Sequence, residues 1–200
     1  MLLLTKAVFA VMIGFLFSAC LGLVLLPLLK KLKVGQRISV FVGESHRKKE
    51  GTPTMGGLIF IIPTVLITLG LLITNKIAFS DNLAIVLIVF CGFAIIGFLD
   101  DFLSIKRHNN EGLTTYQKLF GQVIISTIFF YIYMKNGGQT SWVVGTLHID
   151  LEMGWWYGLF ILFILIGSSN AVNITDGLDG LAGSLSAIAF IAFALISFMV

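Results

Sequence analysis

Two carboxylates and two amides lie close together in the stretch NAVNITDGLDGLAG at 170–183. The acids are Asp176 and Asp179, the amides are Asn170 and Asn173, and a long apolar run directly precedes them. The three-residue spacing from Asn173 to Asp179 would place Asn173 and both acids on one side of a helical turn. Because an unpaired charge in hydrocarbon costs several kcal/mol or more, such groups at a membrane helix indicate a functional site. They suit sugar hydroxyls, nucleoside edges or a metal ion, whereas a simple helix cap needs only one of them.

A second acidic pair, Asp100-Asp101, closes another apolar run in the sequence FLDDFLSIKR at 98–107. Adjacent helical residues point about 100° apart, so the two carboxylates need not share a proton. They suit Mg²⁺, which takes few carboxylates and keeps waters and substrate phosphates, or one of them accepts a proton from an attacking oxygen. The alternative is an interfacial helix end with solvated acids. Acids at a helix C-terminus oppose the helix dipole, which favours the functional interpretation.

Cationic side chains lie before and after the acidic pair. The stretch SHRKKEGTPTMGG at 45–57 runs from a basic cluster into a Gly/Thr/Pro turn, and its cations suit phosphates. Attraction to anionic lipid headgroups explains the cations equally well, but it does not explain the turn. Lys118 follows the acidic pair across a short loop, where it suits a phosphate, an aspartate or the role of an interfacial anchor. The histidines lack metal-ligand spacing, and both cysteines are expected to be packing residues.

The elements that must position these groups are membrane helices. The chain has 200 residues, 58% hydrophobic and 12% charged, whereas a soluble domain has about 25% charged residues. A helix needs roughly 17–25 apolar residues to cross a bilayer, and about six runs approach that length. They cover residues 7–29, 56–74, 83–99, 119–134, 155–171 and 181–200. The segment 135–153 is rich in β-branched residues and predicts a small hairpin outside the membrane. The expected fold class is an all-α polytopic membrane protein, with residues 1–200 forming a single integral membrane domain.

The distribution of lysine and arginine predicts the orientation. Ten of these residues lie in the connections 30–55 and 100–118, and three, Lys6, Lys76 and Lys135, lie in the others. The richer side is expected to be cytoplasmic, which places the N-terminus and the hairpin outside. All the acidic groups singled out above then share the cytoplasmic face, whereas a transporter would hold its ionisable groups near the bilayer centre. The last run stops at Val200 without a polar flank, which predicts a longer parent protein. We expect no nucleic-acid partner.

Three motifs carry a resemblance to a known family: GTPTMGG at 51–57, FLDDFLSIKR at 98–107 and NAVNITDGLDGLAGS at 170–184. They resemble the bacterial phospho-N-acetylmuramoyl-pentapeptide transferases of the polyprenyl-phosphate N-acetylhexosamine-1-phosphate transferase superfamily. The resemblance implies a multi-pass enzyme of the bacterial plasma membrane. It would transfer phospho-MurNAc-pentapeptide from UDP-MurNAc-pentapeptide to undecaprenyl phosphate, giving lipid I and UMP, in the first membrane step of peptidoglycan synthesis. The implied cofactor is Mg²⁺, and a homodimer is left open. The alternative within the superfamily is another sugar-1-phosphate transferase, for teichoic acid or O-antigen initiation.

The resemblance also implies roles for the acidic residues. Asp100 and Asp101 match the family's acidic pair, which is implied to act on the lipid phosphate or the metal. Asn173, Asp176 and Asp179 match the second acidic motif, implied to line the nucleotide-sugar site, with Asp176 also catalytic. Whether the lipid phosphate attacks directly or an aspartyl-phosphate forms is left open, and direct attack is favoured.

Four further residues are implied to bind substrate. Lys48 lies near the family's functional lysine, with its register against Lys49 left open, and Thr54 lies within the GTPTMGG turn. Lys118 and Gln122 fall where the family has polar residues near the site. A third essential aspartate and a histidine-rich loop of the family would lie beyond the equivalent of Val200, so the 200-residue form alone is expected to lack catalytic parts.

Overall fold

The computed structural model describes residues 2–31, 54–107, 112–144, 149–176 and 180–199. In these ranges the chain forms six helices and one two-stranded sheet. The helices are α1 (Leu2–Lys31), α2 (Leu58–Ile73), α3 (Asp81–Arg107), α4 (Thr115–Lys135), α5 (Trp156–Thr175) and α6 (Leu181–Met199), and the strands are β1 (Ser141–Val144) and β2 (Ile149–Glu152). The six helices coincide with the six apolar runs, which confirms the predicted all-α architecture and the hairpin at 135–153.

Membrane-spanning length is reached by three of the helices in the described ranges. Val8–Lys31 of α1, α3 and α5 are long and apolar enough to cross a bilayer, whereas α2 and the Leu181–Ser197 part of α6 are shorter apolar helices. Helix α4 has 21 residues but includes several polar side chains. Many of the large apolar side chains of these helices are exposed, which is unfavourable in water but expected against lipid. That all six helices cross the bilayer stays a prediction.

The chain divides into two compact units, Met1–Lys118 and Leu119–Val200. In the first unit, α1 packs antiparallel against α2. Gly14 lies opposite Ile67, and Gly22 lies opposite Ile59. The prediction that residues 1–200 form a single domain stays a prediction.

In the second unit, the hairpin lies between α4 and α5. Its strands are antiparallel, with Trp142 opposite Leu151 and Ser141 opposite Glu152. Helix α4 ends in a Schellman motif, in which Gly137 adopts a φ of +76° and the Gly138 N–H donates to the Tyr133 carbonyl at 2.9 Å. Glycine is favoured at this position because it reaches positive φ without a steric penalty. The motif stops α4 and turns the chain towards the hairpin.

One boundary differs from the sequence prediction in a way that matters for the site. The third apolar run was expected to end at residue 99, with Asp100 and Asp101 closing the helix. Helix α3 instead continues to Arg107 and carries Lys106 and Arg107 in its last turn, where cations complement the helix dipole. The expectation that the acidic pair opposes the dipole at a helix end is therefore wrong, because the pair lies inside the helix.

Candidate active site

The first unit brings the acidic pair against the GTPTMGG turn. The Met55 N–H donates to Asp101 Oδ2 at 2.9 Å, across 46 positions of sequence. Met55 has a φ of +65°, a conformation that costs a non-glycine residue roughly 1–2 kcal/mol. Its carbonyl then accepts the Leu58 N–H at the start of α2. The turn therefore directs a backbone donor at a carboxylate and begins a membrane helix at the same residue.

Asp100 binds the loop that leads to α4. Its Oδ2 lies 2.7 Å from Lys118 Nζ, and its Oδ1 accepts the Leu113 N–H at 2.8 Å. A Cβ at Gly112 would overlap the Asp100 carboxylate and its backbone carbonyl, so only glycine fits there. Arg107 Nη1 donates to the Gly112 carbonyl at 2.9 Å, which holds the loop from its other side.

A capping box positions Lys118. The Gln117 N–H donates to Thr114 Oγ1 at 3.3 Å, and the Thr114 N–H donates to Gln117 Oε1 at 3.0 Å. This reciprocal pair satisfies two orphan donors at the start of α4. Lys118 follows within the first turn, which sets its ammonium group beside Asp100. The Thr-Thr-Tyr-Gln sequence at 114–117 has the spacing of this motif, so it was readable from the sequence but was missed.

Thr54 carries a buried hydroxyl oxygen that no group of the described residues satisfies. Within the described part of the chain, Thr54 Oγ1 is buried and has no hydrogen-bond partner. An unsatisfied buried polar group typically costs about 1–3 kcal/mol, which makes this oxygen a candidate for a contact with a ligand. We call the set Thr54, Met55, Asp100, Asp101 and Lys118 the acidic turn.

The acidic turn offers oxygen donors of the kind that Mg²⁺ prefers. Among the residues that the structure describes, no group of three or more His, Cys, Asp or Glu side chains could hold a metal ion. Mg²⁺ is commonly bound by one or two carboxylates and completed by waters and substrate phosphates, so Asp100 and Asp101 fit a site that substrate completes. Asp100 would have to share its Oδ2 with the Lys118 ammonium.

The second unit places Gln122 in a different environment. Gln122 is only 4% exposed. Its Nε2 donates to Ser169 Oγ at 3.3 Å, and its Oε1 accepts from Asn170 Nδ2 at 3.1 Å. Asn170 Nδ2 also donates to the Ile166 carbonyl at 2.8 Å, one turn back along α5. Ser126 follows Gln122 by one helical turn, is fully buried, and leaves its Oγ without a partner in the described ranges. We call Gln122, Ser126, Ser169 and Asn170 the amide seam.

The remaining predicted residues lie at and beyond the end of α5. Helix α5 ends at Thr175, and the Asp176 N–H donates to the Val172 carbonyl at 3.1 Å. Asn173 and Asp176 are exposed. Lys48 and Asp179 lie outside the described residues. The structure thus brings together Thr54, Asp100, Asp101 and Lys118 in one unit, and Gln122 and Asn170 in the other.

Sequence comparison places this geometry in a family. The sequence model of glycosyl transferase family 4 matches residues 83–200, more than half of the chain, including α3 with its acidic pair. The chain belongs to glycosyl transferase family 4. A second match, to phospho-N-acetylmuramoyl-pentapeptide-transferase signature 1, covers residues 49–61. That signature includes Thr54 and Met55. The turn that matches the signature therefore supplies the backbone amide that binds Asp101, which lies in the segment that matches the wider family.

Several curated relatives carry the same name. The chain is 41% identical over 165 residues to the phospho-N-acetylmuramoyl-pentapeptide-transferase of Bacillus subtilis (strain 168), which is 82% of this chain and 50% of that protein. It is 42% identical over 166 residues to the enzyme of the same name from Geobacillus kaustophilus (strain HTA426), covering 82% and 51%. The corresponding protein of Oceanobacillus iheyensis is 38% identical over 169 residues, covering 84% and 52%. The chain therefore spans about half the length of the curated relatives it matches, and with the apolar helices these matches indicate a membrane protein.

Proposed function

We propose that the protein transfers phospho-MurNAc-pentapeptide from UDP-MurNAc-pentapeptide to undecaprenyl phosphate, giving lipid I and UMP. The observation that carries this proposal is the hydrogen bond from Met55 to Asp101. It joins a turn typical of the muramoyl-pentapeptide branch to an acidic pair inside the segment that matches the wider family. Branch-specific and family-wide residues therefore meet at one place, as they should if that place is the reacting centre.

The proposed reaction exchanges one phosphoryl bond for another. An oxygen of undecaprenyl phosphate attacks the sugar-bound phosphorus of the donor, and the bond from that phosphorus to the UMP oxygen breaks. All the reacting phosphates are anionic, so the chain must neutralise and position them rather than supply covalent chemistry. Lys118 is suited to this task, because its ammonium group lies at the rim of the acidic turn and is only partly buried. Direct attack predicts that UMP release depends on undecaprenyl phosphate. A burst of UMP without that acceptor would indicate an aspartyl-phosphate instead.

Asp100 and Asp101 are proposed to hold Mg²⁺ together with the substrate phosphates. Bound there, the ion would neutralise charge on the donor diphosphate. Asp100 also orients Lys118 and the loop at Leu113, and Asp101 anchors the signature turn. The Thr54 hydroxyl is proposed to meet the substrate, since it lacks a partner in the described chain. Asn173, Asp176 and Asp179 are proposed to line the nucleotide-sugar site, and Lys48 to bind substrate. For Gln122 the resemblance implies substrate binding, whereas its hydrogen bonds to Ser169 and Asn170 favour helix packing.

The contact between Met55 and Asp101 also supports the proposed orientation. It joins the ends of the two lysine- and arginine-rich connections, 30–55 and 100–118, which the charge pattern places on one membrane face. We propose that this face is cytoplasmic and that the N-terminus lies outside. Labelling of single cysteines at positions 45 and 139 with a membrane-impermeant reagent should mark opposite faces of the bilayer.

The choice of donor tests the proposed function. Full-length protein in membranes should convert UDP-MurNAc-pentapeptide and undecaprenyl phosphate to lipid I, and should use UDP-GlcNAc poorly. Preference for UDP-GlcNAc would instead place the protein among the transferases that initiate teichoic acid or O-antigen synthesis. Failure with both donors would overturn the proposal.

A further inference from the structure

All three tryptophans of the chain lie between positions 142 and 156. Trp142 on β1 is 47% exposed, and Trp155 and Trp156 at the start of α5 are 84% and 71% exposed. So much exposed aromatic surface is costly in water. The indole ring combines an apolar body with one N–H donor, and it is enriched where a membrane meets water.

The hairpin has two chemically different faces. Cross-strand partners share a face, and neighbours along a strand alternate between faces. Trp142 pairs with Leu151, which is 49% exposed, so both present apolar surface on the same side. Ser141 pairs with Glu152 on the other side, where Asp150 alternates with Leu151 and is also exposed. A short amphipathic hairpin of this kind needs an apolar surface on one side and water on the other.

Packing fixes the apolar face close to the end of a membrane helix. The Trp142 ring packs against Phe160 in the second turn of α5, with ring centroids 5.7 Å apart. The Met153 N–H donates to the Thr140 carbonyl at 3.0 Å, and the Trp156 N–H donates to the Met153 carbonyl at 3.0 Å. These bonds tie the base of the hairpin directly to the first residue of α5, which is long and apolar enough to cross a bilayer. The exposed surface of Trp142 and Leu151 is therefore continuous with the surface of a candidate membrane span.

We propose that the hairpin lies on the bilayer, with Trp142 and Leu151 inserted at the boundary between phospholipid headgroups and acyl chains. Trp155 and Trp156 occupy the same boundary, and Asp150 and Glu152 face water. Continuity with α5 favours lipid over a protein partner as the occupant of this surface. The hairpin then anchors the connection between α4 and α5 at a fixed depth. This inference does not depend on the reaction that the protein catalyses.

Tryptophan fluorescence tests the proposal, because every tryptophan of this chain lies in the proposed surface. A variant with Trp155→Phe and Trp156→Phe leaves Trp142 as the single reporter on the hairpin. The chain is reconstituted into phosphatidylcholine bilayers brominated either close to the headgroup or close to the acyl-chain end. We expect blue-shifted Trp142 emission that loses most of its intensity with the shallow bromine and much less with the deep one. Aqueous iodide should quench it weakly.

Quenching of Trp142 by iodide but not by brominated lipid would show a hairpin in water and overturn the proposal. Protection from both quenchers would place another protein surface over it and would overturn the proposal equally. Leu151→Ser should shift the emission to the red and increase iodide quenching, whereas Glu152→Gln on the opposite face should change neither. If the double variant misfolds, the emission of Trp142→Phe is subtracted from that of the unmodified chain. The difference gives the Trp142 signal in a chain that keeps Trp155 and Trp156.

Discussion

The acidic turn and the amide seam are both polar clusters among apolar helices, yet they are built in opposite ways. The acidic turn joins charged side chains to backbone amides of two loops and remains partly exposed, with Lys118 and Asp100 at 26% and 23%. The amide seam joins neutral side chains of two helices to each other. Its Gln122 and Ser126 are buried, whereas Ser169 and Asn170 are partly exposed. Charged groups that stay accessible can exchange their partners for a ligand, whereas a buried neutral amide such as that of Gln122 is suited to hold its helix against a neighbour. From this difference we propose that the first cluster takes part in the chemistry and that the second holds helices together.

The largest effect is expected from Asp101→Asn, which keeps the shape of the side chain but removes its charge. Lipid I formation by the full-length protein should fall on the order of 100-fold or more, because a charged group at the reacting centre is lost. The matched control is Asp81→Asn in the first turn of the same helix, which should leave the rate unchanged. Equal rates for both variants would remove the acidic turn from the mechanism.

Lys118→Met separates catalysis from stability. A partly exposed ion pair contributes only about 0–1 kcal/mol to stability, so the thermal unfolding midpoint should change little. Lipid I formation should fall about 10- to 100-fold, the value of a hydrogen bond to a charged group. Lys118→Arg should retain part of the rate, and Lys135→Met at the other end of α4 should retain all of it. If Lys118→Met lowered the unfolding midpoint but left lipid I formation unchanged, the ion pair with Asp100 would serve stability and not catalysis.

Gly112→Ala tests whether the loop must approach Asp100. The added methyl group would overlap Asp100, displace the Leu113 amide, and lower the rate roughly tenfold by misplacing the carboxylate. Gly97→Ala, on the same helix as Asp100, has open space around its new Cβ and should leave the rate unchanged. Steady-state kinetics of the two variants side by side measure the difference. Equal effects of the two substitutions would contradict the close approach of the loop.

Gln122→Met should affect stability rather than catalysis. It removes the hydrogen bonds to Ser169 and Asn170 while keeping the volume, and interhelical hydrogen bonds in membranes contribute about 1 kcal/mol. The variant should unfold at a lower concentration of a denaturing detergent. The rate of lipid I formation per folded molecule should be unchanged. A lower rate at unchanged stability would instead support the sequence-based prediction that Gln122 binds substrate.

The smallest effects are expected at the unpaired hydroxyls of Thr54 and Ser126 in the described residues. They discriminate between the two clusters, because each cluster contains one of them. Thr54→Val and Ser126→Ala each remove a buried oxygen that has no partner in the described chain. Neither substitution should destabilise the protein, because an unsatisfied buried polar group costs about 1–3 kcal/mol. Only Thr54→Val should raise KM for the nucleotide-sugar. A KM change in both variants, or in neither, would contradict the proposed difference between the two clusters.

The sequence predicted the helices more closely than it predicted the contacts between their side chains. Apolar runs placed all six helices of the described ranges, and β-branched residues placed the hairpin. The end of α3 was misplaced because Asp100 and Asp101 resembled a boundary, although Phe102 and Leu103 continue the apolar pattern. Lys118 was expected to bind a phosphate or an aspartate or to be an interfacial anchor, and the structure pairs it with Asp100.

The contacts that define the two clusters could not be read from spacing. Met55 and Asp101 are 46 positions apart, and Gln122 and Asn170 are 48 apart, so their meeting depends on how helices pack. Asn170 is the first residue of the acidic motif in the sequence. In the structure its side-chain amide instead donates to Gln122 in the amide seam. Local rules describe a helix or a turn, but only tertiary packing decides which polar groups are satisfied by each other and which are left for a ligand.

The most direct test measures transfer per folded molecule for Asp101→Asn and Gln122→Met of the full-length protein in one assay. A labelled sugar phosphate of UDP-MurNAc-pentapeptide is followed into the lipid fraction, and the folded amount is measured in the same membranes. We predict that Asp101→Asn stays folded and loses transfer, while Gln122→Met loses stability and keeps transfer per folded molecule. Full transfer by Asp101→Asn together with loss of transfer by Gln122→Met at unchanged stability would contradict the account.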